Sequence, residues 1–127
     1  MTTTVMIPTG PESLAPRRGD IVLVLFPNAD LRSAKPRLAV VLQSDDLATE
    51  LPQIVVAMIT SQMTRAGHPS RVVIILESDQ GKASGLQSDS VVMTDNLATV
   101  RLSAVSRVIG VLPMEEVDRA LRHTLSL

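Results

Sequence analysis

Residues 17–43 read RRGDIVLVLFPNADLRSAKPRLAVVLQ, and this stretch decides the fold. Ile21–Phe26 is a short apolar run rich in branched side chains, which suits a buried strand better than a helix. Pro27, Asn28 and Asp30 break the run with turn chemistry. Arg37–Gln43 resumes the apolar pattern as a second strand. Arg32, Lys35 and Arg37 place positive charge in or beside the intervening loop. A cationic loop between two rigid strands is a place to hold an anion.

Outward from this hairpin the same short apolar runs recur. Ile54–Ile59 reads as a third strand running into Thr60, Ser61 and Gln62, and residues 63–70 as a loop with Gly67 and Pro69. Arg71–Glu77 reads as a fourth strand, residues 78–85 as a loop, Ser90–Thr94 as a fifth strand ending at Asp95, and Val108–Leu112 as a sixth. Between the second and third, Asp45 or Asp46 is placed to cap a short helical turn through Leu51. The period then changes. Pro113 suits the first position of a helix, Glu115 and Glu116 its first turn, and Val117, Ala120, Leu121, Thr124 and Leu125 form one stripe. The pattern predicts a mainly β domain over residues 17–127, a small twisted antiparallel sheet or half-open barrel with a C-terminal helix. Residues 1–16, rich in Thr, Pro and Gly without periodicity, read as a flexible tail.

Composition narrows the function. The 127-residue chain carries a net charge of −1, so a protein that binds polyanions over its whole surface is not expected. The single aromatic residue, Phe26, all but removes base stacking as a recognition mode. Without cysteine there is neither a disulfide framework nor thiol chemistry. No apolar run reaches the roughly 20 residues of a membrane span, and the first residues lack the pattern of a secretory signal, so a cytoplasmic protein without membrane contact is expected. The two histidines, His68 and His123, are far apart and match no metal-ligand spacing, and no nucleotide or cofactor fingerprint is present. No metal and no cofactor are expected. Polar residues at strand ends remain: Arg37, Thr60, Ser61 and Asp95, each of which also has an ordinary explanation as a turn residue or surface cation.

Taken in order, GDIV, FP, KPR-x-AVVL, ITSQ, GL-x-x-x-SVV-x-x-D and IGVL before a terminal helix resemble the MazF/PemK family of type II toxin–antitoxin endoribonucleases. The resemblance runs from Arg18 to Leu127. It implies a small SH3-like barrel with a C-terminal helix, assembled as a homodimer, that cleaves single-stranded messenger RNA without metal and is neutralised by a cognate antitoxin. By the same resemblance Arg37, Thr60 and Asp95 would be catalytic, and Arg32, Lys35, Ser61 and Gln62 would contact RNA. The chain departs from the family pattern at Leu31, where many members carry His or Ser, at Leu38, where a proline is usual, and at Met93, where some carry Arg. These departures keep a second reading open: a catalytically degenerate toxin, or a CcdB-like one that binds a protein target such as gyrase.

Overall fold

The computed structural model describes residues 15–47 and 49–127. Most of the expected tail therefore lies outside the described residues. Six strands form one antiparallel sheet: β1 Asp20–Pro27, β2 Ala34–Val41, β3 Gln53–Thr60, β4 Arg71–Ile74, β5 Ser90–Arg101 and β6 Val105–Val111. Two helices complete the domain, α1 Asp79–Ser84 and α2 Glu115–Leu125. The strand order is β4-β5-β3-β2-β1-β6, so the opening hairpin occupies the interior of the sheet and β4 and β6 its edges. The fold class is the expected one.

Successive residues of each strand alternate between two cores. On one face Ile21, Val40, Ala57, Ile59 and Val92 pack under Leu86, Leu112, Val117 and Ala120, so both helical segments cover that side. On the other face Val22, Val24, Phe26, Ala39, Val41, Ile54, Val56 and Val100 form a second cluster, closed by Leu102, Ala104 and Val105 where the chain turns from β5 into β6. The sheet therefore curls around its second core as a half-barrel. Arg18 ties the entry to this body, donating to the Leu42 carbonyl and pairing with Asp118 of α2.

Several boundaries differ from the sequence expectation, each for a local reason. The second strand starts at Ala34 rather than Arg37, running through Pro36. Strand β3 pairs with β2 only over Leu38–Val41, so Pro36 sits where one edge of β2 is open and its missing N–H is tolerated. The helical turn capped by Asp45 or Asp46 is not present among the described residues; Ser44 closes a tight turn there, its carbonyl accepting the Leu47 N–H at 3.2 Å. Asp45 instead accepts the backbone N–H of Arg18 at 2.8 Å and the Arg17 guanidinium at 3.3 Å. Residues 78–85 hold a short helix instead of a loop. Ser78 caps it by accepting the Gly81 N–H at 3.0 Å, and Gly85 ends it in the left-handed conformation, φ +76°. This helix cuts the fourth strand short at Ile74. The fifth strand continues past Asp95 to Arg101, with its pairing interrupted rather than ended: Ala57 faces Leu97 and Met58 faces Met93, leaving Thr94, Asp95 and Asn96 as a bulge. The sixth strand begins at Val105, before the Val108 expected. The last helix starts at Glu115, so Pro113 lies just outside it and Met114 stands at the N-cap.

Candidate active site

Beyond the Leu38–Ile59 pair the β2–β3 ladder stops, and the next residues in register are Arg37 and Thr60. Cross-strand neighbours point to the same side of the pleat, so the guanidinium and the hydroxyl arise side by side. Both line a cavity of about 600 Å³ that opens at this point. Leu23, Leu38 and Ile59 supply an apolar floor, Ser61 and Gln62 extend the Thr60 rim, and Gln87 and Ser88 stand opposite, in the segment that follows α1. That wall is seated by two glycines. A Cβ on Gly110 would overlap the carbonyl of Ser84, and one on Gly85 would overlap that of Ile109, so α1 rests directly on β6.

The charge of the cavity contrasts with that of the whole chain. Two arginines, Arg37 and Arg107, line it, and among its lining residues there is no carboxylate and no histidine. Neither arginine takes part in the ion pairs found among the described residues, which are Arg17–Asp45, Arg18–Asp118 and Arg71–Asp95. Thr60 Oγ1 accepts the backbone N–H of Gln62 at 3.1 Å. That bond uses an oxygen lone pair and leaves the hydroxyl proton to donate elsewhere. An unpaired guanidinium beside an available O–H donor suits the oxygens of a phosphate.

The remaining sequence-predicted residues lie elsewhere. Asp95 does not line this cavity. It sits in the β5 bulge, five residues along from Ser90, and receives Arg71 Nε and Nη2 at 3.0 and 3.1 Å. Partial burial pushes the Asp95 carboxyl up, but the hydrogen bonds and charge of Arg71 outweigh it and hold the group below its ordinary value. A carboxylate so held is a weak proton acceptor at neutral pH. Lys35 is exposed on β2 opposite Phe26, and Arg32 is exposed in the turn between β1 and β2, both outside the cavity lining. That turn is built on Asp30, which accepts the backbone N–H groups of Arg32 at 2.9 Å and Ser33 at 3.2 Å. These bonds, that from Arg32 first, hold the Asp30 carboxyl below its ordinary value. Leu31 stands at the tip, 84% exposed and in the left-handed region at φ 60°, with no acid–base chemistry to offer. Met93, the other departure, lies within β5 between Met58 and Arg71. Phe26 is 2% exposed, so among the described residues no phenyl, phenol or indole ring is available for stacking.

Arg107 escapes the sequence reading because the sixth strand was expected to start one residue after it. No simple alternation marked it: a register shift between Leu23 and Val24 sets Val105 toward the second core and Ile109 toward the first.

The sequence of residues 17–125 matches the family model of the PemK-like, MazF-like toxins of type II toxin–antitoxin systems. The chain belongs to that family. Solved structures share the fold of this PemK/MazF-like chain. The Mycobacterium tuberculosis toxin MazF-mt6 aligns over 85% of this chain and 97% of its own, at 24% identity and a TM-score of 0.65. MazF from Deinococcus radiodurans aligns over 90% and 99%, at 21% identity and a TM-score of 0.68. An endoribonuclease in complex with its cognate antitoxin, from a mycobacterial species, aligns over 89% and 97%, at 17% identity and a TM-score of 0.68.

Proposed function

We propose that this PemK/MazF-like chain is a toxin endoribonuclease that cleaves single-stranded RNA at the Arg37–Thr60 rim. One observation carries the proposal: an arginine with no ion-pair partner among the described residues and an available hydroxyl lie side by side at a cavity with no described acidic lining, in a protein of net charge −1. Charge focused in one place holds a polyanion locally rather than over the whole surface. The same charge disfavours a binder of a protein target such as gyrase, for which an apolar, uncharged face would be the natural surface.

The reaction that fits these residues uses the nucleophile already in the substrate. The ribose 2′-oxygen forms a bond to the adjacent phosphorus, the bond from phosphorus to the 5′-oxygen breaks, and the products end in a 2′,3′-cyclic phosphate and a 5′-hydroxyl. Negative charge gathers on the phosphate oxygens in the transition state. Arg37 meets it with two N–H donors of its planar fork, and Thr60 adds the O–H that Gln62 leaves available. The proton of the 2′-hydroxyl passes to solvent water and the 5′-oxygen takes one from water, while Arg37 stays protonated and steadies the charge on the phosphate and leaving oxygens by hydrogen bonding. Asp95 has a different role in this proposal: with Arg71 it fixes the bulge of β5. The functional unit is a homodimer in the cytoplasm, restrained by a cognate antitoxin. The mycobacterial endoribonuclease solved with its antitoxin supports that last assignment by analogy of fold.

The test is incubation of the purified protein with single-stranded RNA in the presence of a chelator. The wild type is expected to leave cyclic phosphate ends, and Thr60→Ala to slow cleavage strongly while keeping its thermal unfolding transition. Intact RNA across varied sequences, from well-folded protein free of antitoxin, would contradict the proposal.

A further inference from the structure

Arg37 and Thr60 rise on one side of the pleat, while Leu23, Leu38 and Ile59 stand in one cross-strand row on the other. Arg107 of the edge strand β6 pairs with Leu23, so its exposed side chain belongs to the floor side. The wall that follows α1 belongs there too. Leu86 is buried in the same core cluster as Ile59, with Leu38 and Ile109 packed against it. Gln87 comes directly after Leu86, is exposed, and lines the cavity together with Arg107. Gly85 rests against the carbonyl of Ile109, two residues along β6 from Arg107, so the wall and the arginine are held at the same end of the floor. Arg107 takes part in none of the ion pairs among the described residues.

Resting on the proposed nuclease reading, we infer that this floor is a base-reading subsite for guanine, with Arg107 as its specificity-determining residue. An aliphatic surface suits the face of a base, and the neutral amide of Gln87 suits a base edge better than a phosphate oxygen. With Phe26 buried, the base rests on aliphatic side chains and is told apart by its edges. The planar guanidinium at the border of the floor donates to two acceptors lying in one plane. Guanine presents such a pair at O6 and N7, whereas adenine puts an amino donor beside N7 and meets the guanidinium donor to donor. As a purine, guanine also extends toward the wall, where its N1–H and N2 amino group donate to the amide oxygen of Gln87. No nucleotide has to touch both faces. The scissile phosphate stays at the Arg37–Thr60 rim, and the guanine belongs to another nucleotide of the same strand, which passes around the open end of the β2–β3 ladder.

The experiment digests a random-sequence single-stranded RNA under chelation with wild type, Arg107→Met and Gln87→Leu, and sequences the cut ends, with circular dichroism to confirm folding. Wild type is expected to favour guanine roughly tenfold or more at one position near the cut, the discrimination of a bidentate base contact. Arg107→Met should bring that ratio to about one at that position alone, and Gln87→Leu should lower it by less. A wild type that cleaves with no preference for guanine near the cut overturns the inference and leaves the nuclease reading standing. An Arg107→Met that keeps the guanine preference overturns it equally, whether it cleaves at full rate or more slowly on all sequences with a shallower salt dependence, as for a phosphate contact. A wild type that cleaves no RNA removes both.

Discussion

Two places on this sheet combine a guanidinium with threonine or serine hydroxyls, and they end differently. At the β5 bulge Arg71 is spent on Asp95 through two hydrogen bonds. Thr94 is spent as well: its hydroxyl meets the Ser70 carbonyl at 2.6 Å and Thr124 of α2 at 2.8 Å. At the end of β3 Arg37 pairs with no described carboxylate, and Thr60 keeps its proton. The residue types are alike. What separates a structural knot from a candidate site is hydrogen-bonding capacity left unused, and that depends on partners brought in from other strands.

The comparison breaks most visibly at its two arginines. Arg37→Ala is expected to slow RNA cleavage by about 10²–10³-fold, the scale seen when one donor to a developing oxyanion is removed. Arg71→Ala should leave the cleavage rate near that of wild type, and a single-turnover assay on both variants checks the contrast. Next in size is the wall of the cavity. Gly110→Ala forces a methyl group into the Ser84 carbonyl and is expected to cost about 1–3 kcal/mol, read as a lowered Tm. Smaller again is Asp95→Asn. The Asp95 side chain is 40% exposed, so solvent screens the pair and the loss is at most about 1 kcal/mol. Because the Asp95 carboxyl is held below its ordinary value in the folded protein, its contribution is full above the unfolded value of about 3.9 and fades as pH falls through the lowered one. The acid limb of a stability–pH curve should therefore be shallower in Asp95→Asn, with activity at neutral pH kept. Least is expected from Arg32→Ala and Lys35→Ala, which lie outside the cavity. Stability should shift by under about 0.5 kcal/mol, and KM should rise only at low salt.

The strands were legible wherever burial imposed alternation on them. The runs at Ile21–Phe26 and Ile54–Ile59 fall inside β1 and β3, and the stripe of Val117 and Ala120 marks the buried side of α2. What escaped were features set by long-range contacts. Residues 78–85 resemble a loop because of their glycines, yet these glycines permit close approach: a Cβ on Gly81 would collide with the chain at Ile75 and Leu76. Strand β5 looks finished at Asp95 because a bulge interrupts its pattern before it resumes at Leu97. Arg37 and Thr60 could be named from sequence, but their register, one step past Leu38–Ile59, could not. Asp95 could be named too, while the Arg71 that occupies it comes from a different strand and leaves no mark in the local pattern.

The most direct measurement compares Arg37→Ala with Asp95→Asn in single-turnover cleavage of single-stranded RNA under chelation, with the product ends identified. The account predicts cyclic phosphate ends from wild type and from Asp95→Asn at similar rates, and a loss of at least about a hundredfold in Arg37→Ala. A collapse of activity in well-folded Asp95→Asn, with Arg37→Ala still active, would contradict it.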